Sequence, residues 1–180
     1  MVTNEVIETS TIENGNLVSN TDTDILKMTV VNRYKDDQPA LAFIKNFGLK
    51  VGAIASSVGH DSHNIIAVGC HDREIVQAIN ALIKVKGGLS VAAHEQVEVL
   101  ALPIAGLMSD EEASVVAHKY IHIDRRAKEY GSRLRAPLMT LSFMALLVIP
   151  KLKLSDQGLF SGESFEFVPV DIAPELAKSY

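Results

Sequence analysis

A single cysteine, Cys70, stands in 180 residues, so no internal disulfide can form and no multi-cysteine zinc site can be built. That usage implies a reducing cytoplasm. Like charges never run to five, and 17 Lys and Arg face 22 Asp and Glu, a formal net charge of -5. With no basic stripe to collect phosphates, nucleic acid is not an expected partner. The first thirty residues lack the charged start and apolar core of a secretory signal, and export is not expected. Long hydrophobic runs are missing too: Ala136 to Pro150 is uncharged for about fifteen residues, short of the roughly 20 that a membrane helix needs. The stretch therefore reads as core. There is no Gly-rich phosphate loop, no His-Glu-x-x-His, and no His-x-Glu followed by Pro-Cys-x-x-Cys, so several enzyme classes drop out.

What is present suits one domain. Hydrophobic residues make up 47% and charged residues 22%, with a mean hydropathy of +0.16, so a chain of this length should bury roughly 70% of its unfolded surface. A sizeable core or a subunit contact follows, and a homo-oligomer is expected. Residues 1–24 are polar and read as a flexible lead-in with one short hairpin around Asn14-Gly15. Residues 25–168 form the domain, and 169–180, loosened by Pro169 and Pro174, form a tail.

The expected fold is α+β: a mainly antiparallel sheet, a mixed one being left open, with two principal helices packed on it. From Ile25 to Tyr34, apolar Leu26, Met28 and Val30 alternate with Lys27 and Thr29, which predicts a strand with one buried face. Leu41 to Phe47, Val51 to Val58 and Ile65 to Cys70 are three further strands, and their short links predict neighbouring antiparallel partners. A helix opens at His71-Asp72-Arg73-Glu74, with Asp72 as N-cap and Ile75, Ile79, Leu82 and Ile83 on one face, and Gly87-Gly88 stops it. Leu89 to Ala93 and Val97 to Leu102 form a hairpin around His94-Glu95-Gln96. Ser109 and Glu112 fit a capping box before a second helix whose stripe is Ala113, Val116, Tyr120, Ile123, Ala127 and Tyr130. Pro137 to Ile149 is either a helix or a buried strand, because uninterrupted apolar character hides its period.

The chemistry concentrates where the buried strand Ala53 to Val58 runs into Gly59, His60, Asp61, Ser62, His63 and Asn64. Polar groups at the end of a buried strand line a site or satisfy their own loop, and both readings stand at this level. His60 and His63, with Asp61 to set a tautomer, are candidates for proton relay and orientation. Ser62 and Asn64 are candidates for substrate contact, since a carboxamide can address a purine or amide edge. The spacing in a loop does not supply two aligned metal ligands, and no metal is assigned to these residues. Asp110 and Glu111 read as helix capping, Cys70 as a buried structural thiol, and Leu141, Phe143, Met139 and Met144 as packing. His94, His118 and His122 show no convergent partner.

Four blocks occur in order along the chain: Val30-Val31-Asn32-Arg33-Tyr34, Gly52 to Asn64, Leu102-Pro103-Ile104-Ala105-Gly106-Leu107-Met108-Ser109, and Met139-Thr140-Leu141-Ser142-Phe143. Ile149 to Leu159 continues them. Together they resemble the C-terminal domain of bacterial adenine deaminase, over about Ile25 to Leu159. The resemblance implies an amidohydrolase of purine salvage that hydrolyses adenine to hypoxanthine and ammonia. It implies as well a separate catalytic barrel, in the same or a companion chain, holding a divalent metal, Mn or Fe, whose hydroxide attacks the purine. No ligand set for that metal is recognised here, so the isolated chain is expected to be inactive. It is then a truncated copy, an excised piece or the partner of a companion chain. The His60 to Asn64 loop is the first candidate to face the barrel's site.

Overall fold

The computed structural model describes residues 1–172; the part of the expected tail from 173 onward lies outside them. Two short strands, β1 (Thr11–Glu13) and β2 (Asn16–Val18), form the hairpin expected at Asn14-Gly15. The central sheet follows: β3 (Leu26–Val31), β4 (Ala40–Ile44), β5 (Ala53–Ser56), β6 (Ile65–Gly69), helix α1 (Asp72–Lys84), β7 (Gly88–Ala93) and β8 (Gln96–Ala101). Then come α2 (Ala113–Glu129), α3 (Pro137–Phe143) and a small sheet of β9 (Leu152–Ser155), β10 (Gly158–Ser161) and β11 (Glu166–Phe167). The class is α+β, and every strand pairing is antiparallel.

The six central strands lie in the order β4-β3-β6-β5-β7-β8. Consecutive β4 and β5 are therefore not neighbours, contrary to the inference from their short link. Residues 45–52 carry the chain past β3 and β6, because β3 has already spent its two edges on β4 and β6 (Met28 opposite Ala42 and Val68). Two antiparallel steps separate β3 from β5, and two more separate β5 from β8, so these three strands run the same way and end at one edge of the sheet.

Both faces of the sheet are covered, which corrects the expectation of a half-buried β3. Lys27 and Thr29 are buried with their apolar neighbours: Lys27 Nζ reaches Asp72 at 2.6 Å, and Thr29 Oγ1 donates to the Ala40 carbonyl at 2.9 Å. On one face α1 lays Ile75, Ala78, Ile79 and Leu82 over Ala53, Ala55 and Ala67. Small residues let the helix approach: a Cβ on Gly69 would stand 2.7 Å from Ile75 Cγ1. The other face carries the larger cluster, in which Leu26, Met28, Ile54 and Val91 meet Ile123 of α2, Leu138 and Leu141 of α3, and Leu154 of β9.

Neither predicted helix cap forms. His71, in extended backbone, occupies the N-cap of α1, while Asp72 is the first helical residue and turns to Lys27. At α2 the N-cap is Glu112, without a side-chain hydrogen bond, and Ser109 Oγ accepts from the Glu111 amide at 3.1 Å in a turn outside the helix. The period left open over Pro137 to Ile149 resolves as the short helix α3, opened by Pro137 in its first turn and followed by turns to Pro150. His94 and Glu95, both at positive φ, make the β7–β8 turn as tight as two residues allow, and Gln96 pairs with Ala93. Among the described residues no helix is long and apolar enough to cross a membrane.

Candidate functional site

The shared strand edge brings three polar loops together. β3 leads into Asn32, Arg33 and Tyr34; β5 into Ser57 to Asn64; β8 into Leu102 to Met108. Arg33 stitches them. Its Nη1 donates to the His63 carbonyl at 3.0 Å, its Nη2 to the Ala105 carbonyl at 3.0 Å, and its own amide to Asn64 Oδ1 at 3.1 Å. The planar fork of guanidinium suits two carbonyls on separate loops. Tyr34 adds a bond from its hydroxyl to the Ser62 carbonyl at 2.9 Å. Beneath them Ser57 Oγ, fully buried, donates to the Gly106 carbonyl at 2.6 Å and accepts from the Gly88 amide at 2.7 Å.

These bonds hold backbone that would not hold itself. Asp61, His63 and Ala105 have φ of 68°, 51° and 58°, a region that costs a non-glycine residue free energy unless its surroundings enforce it. The result is a presented loop. His60 stacks on Phe143 of α3, ring centroids 4.0 Å apart and planes 25° apart, with Nδ1 3.4 Å from the Ser142 carbonyl. Assigning the proton to Nδ1 from that carbonyl partner leaves Nε2 as an acceptor.

The five candidates from the sequence separate. His60 is set by α3, and its orienting partner is the Ser142 carbonyl; Asp61 stands exposed beside it. Ser62 is exposed as well, with its carbonyl taken by Tyr34. His63 is half-buried, and its Nδ1 is enclosed with no hydrogen-bond partner among the described residues. Asn64 is buried, its Oδ1 engaged by the Arg33 amide. Arg33, Ser57 and Ser142 had no assigned role in the sequence reading, and Phe143 was read only as packing. The rule that singled out His60, polar residues directly after a buried strand, applies equally to Asn32-Arg33 after β3.

His60 also forms part of the wall of a groove of about 810 Å³ between the sheet, α2 and α3. Its lining is apolar, with Leu100, Leu102, Leu107, Met108, Val116 and Ile121 contributing. Tyr120 faces it too, and burial together with Asp124 pushes its phenol pKa up. Between β8 and α2 a smaller cavity of about 290 Å³ is bordered by Glu98 and His122. His122, which showed no partner in sequence, bonds Glu98, and Arg126 Nε reaches the same carboxylate at 2.8 Å. Cys70 is buried at the other end of β6, its thiol pushed up to about 12 by burial and then by Glu74 and Asp24. Among the described residues no group of three His, Cys, Asp or Glu side chains is placed to hold a metal ion.

The model of the family described as adenine deaminase C-terminal domain matches residues 1–166. An adenine deaminase of Sulfurovum sp. is 62% identical over 146 residues, 81% of this chain and 27% of that protein. One of Methanosarcina mazei is 54% identical over 168 residues, 93% of this chain and 30% of its own length. One of Salinibacter ruber is 54% identical over 168 residues, 92% of this chain and 31% of its own. The chain thus spans under a third of the length of these relatives. With nearly the whole domain matched, from the N-terminal hairpin through the three loops joined by Arg33 to the small C-terminal sheet, the chain belongs to the adenine deaminase C-terminal domain family.

Proposed function

We propose that this domain works in an adenine deaminase, presenting the His60–Asn64 loop to the site where adenine is hydrolysed to hypoxanthine and ammonia. The observation that carries the reading is the fastening of that loop: Arg33, Tyr34 and Phe143 hold side chains and strained backbone in one arrangement that a mere connection would not need. His60, stacked on Phe143, offers Nε2 to accept or return a proton, and His63 and Asp61 lie on the same loop. Ser62 is exposed and available to substrate; Asn64 serves through Arg33, holding the loop rather than a purine edge.

The hydroxide-generating metal, Mn or Fe, belongs in this reading to a catalytic barrel in the same or a companion chain. The donors described here do not fit it, so none of its steps is assigned to these residues. Hydrolase activity, a place in purine salvage and a cytoplasmic setting, suited to one buried thiol, follow as parts of the same proposal. The test is adenine turnover by the full polypeptide carrying this domain, with His60→Ala and His63→Ala made in turn. Loss of kcat in either variant with the fold intact supports the reading; wild-type kcat and KM in both removes it. A second reading, a non-catalytic oligomerisation module, draws on the apolar groove, and sedimentation showing tight self-association in a chain whose loop is dispensable would favour it.

A further inference from the structure

Helix α2 buries side chains fully only in its second half. Its buried residues, Ile123 and Ala127, both lie in the C-terminal half, and its N-cap makes no side-chain hydrogen bond. The first half instead contributes Val116, Tyr120 and Ile121 to the groove, which Met108 and Met139 complete from the other side. Ile121, Met108 and Met139 are 61%, 56% and 49% exposed. Helical turns with no side-chain cap, touching the core only through half-buried Val116 and Tyr120, are marginal in water, and apolar surface gathered in one concavity marks a contact.

Apart from His60 Nε2 and the Tyr120 hydroxyl, the groove's polar side chains are engaged among the described residues. Ser56 Oγ bonds the Val58 carbonyl and amide at 3.2 and 2.9 Å, Ser142 Oγ donates to the Met139 carbonyl at 2.8 Å, and both Glu111 oxygens accept from Lys119 Nζ at 2.6 Å. A polar small molecule finds little to recognise there, whereas aliphatic side chains find matching surface. We infer that the groove seats an apolar segment of the polypeptide that precedes this domain in adenine deaminases. The inference rests on the reading above, that the domain works beside a catalytic region. Two facts select this occupant. The matched stretch is 27 to 31% of the relatives' length and carries a C-terminal description, so most of each relative lies before it. His60 shares the groove's wall, so whatever fills the groove lies against the loop. A second copy seated there would close that loop off from the rest of the polypeptide.

Hydrogen exchange read by mass spectrometry on this chain and on the full-length Methanosarcina mazei relative tests it. Amides of 113–121 should exchange at least about tenfold slower in the full-length protein, at the aligned positions, than in this chain. Glutamate at the positions aligned with Met108 and Ile121 should restore fast exchange there. Equal rates in the two proteins would overturn the inference. So would protection in this chain alone that rises with concentration, together with a dimer abolished by Ile121→Glu, since that assigns the groove to a second copy. The readout is independent of turnover. Protection at 113–121 with a dispensable loop retires the catalytic reading alone, and a loop needed for turnover with unprotected 113–121 retires this inference alone.

Discussion

Gly106 lies against the guanidinium of Arg33 so closely that an added Cβ would stand 2.4 Å from Nη2 and 2.5 Å from Nη1. Its φ of +75° also disfavours any side chain. Gly106→Ala should therefore destabilise the domain by about 1–3 kcal/mol. Arg33→Ala, which frees the His63 and Ala105 carbonyls, should cost about 1–3 kcal/mol as well. Urea unfolding of both variants and the double variant checks this: the double should lose less than the sum, because the clash needs both residues. Strict additivity would show that the two loops are not joined through this contact.

Cys70 should ignore thiol reagents in the native state at pH 8 and react once urea unfolds the chain, because burial keeps it a neutral thiol. A folded-state pKa raised from 9.0 to about 12 favours the protonated form, so its stabilisation is complete below pH 9 and is lost as pH rises from 9 to 12. Cys70→Ala should flatten the alkaline fall in unfolding midpoint. An unchanged fall would place the alkaline sensitivity elsewhere.

Glu98 should set part of the acid limit. Burial raises its pKa, but hydrogen bonds and charge from His122 and Arg126 outweigh that and hold it below 4.5. A lowered folded-state pKa means stability present above about pH 4.5 and lost as pH falls through the folded value. Thermal unfolding of wild type and Glu98→Gln between pH 6 and 3 should show two curves that converge on acidification.

Lys153 is 1% exposed, and its ammonium donates to the Met1 carbonyl and Thr3 Oγ1, each at 3.2 Å, with no carboxylate paired to it among the described residues. Burial pulls its pKa below the ordinary lysine range, so the buried charge opposes folding at neutral pH and the penalty fades as pH rises toward 10.5. Lys153→Met should leave neutral-pH stability within about 1 kcal/mol of wild type or raise it. A loss of several kcal/mol in denaturant unfolding would mean that the two neutral acceptors hold residues 1–3 in place more tightly than this balance allows.

Much of this was legible in the residues. Alternation and small apolar runs located the six central strands to within a few positions, because side-chain period is local. The polar cluster after Ala53–Ser56 announced the loop. Caps were misplaced because Asp72 found a stronger partner in buried Lys27, and because α2 begins at Ala113, beyond reach of Ser109. The buried Lys27 and Thr29 read as a solvent face because nothing near them in sequence reveals that Lys27 meets Asp72 at the start of α1 or that Thr29 bonds the Ala40 carbonyl.

By itself the sequence determined the element types outside 137–149, the family resemblance and a loop rich in proton-transferring groups, all of which depend on neighbours within a few positions. Tertiary structure alone decided that β3, β5 and β8 end at one edge, that Arg33 reaches two loops there, and that His60 rests on Phe143. The reason is that strand order is set by hydrogen bonds between residues far apart in the chain, and such pairings leave no mark on local periodicity.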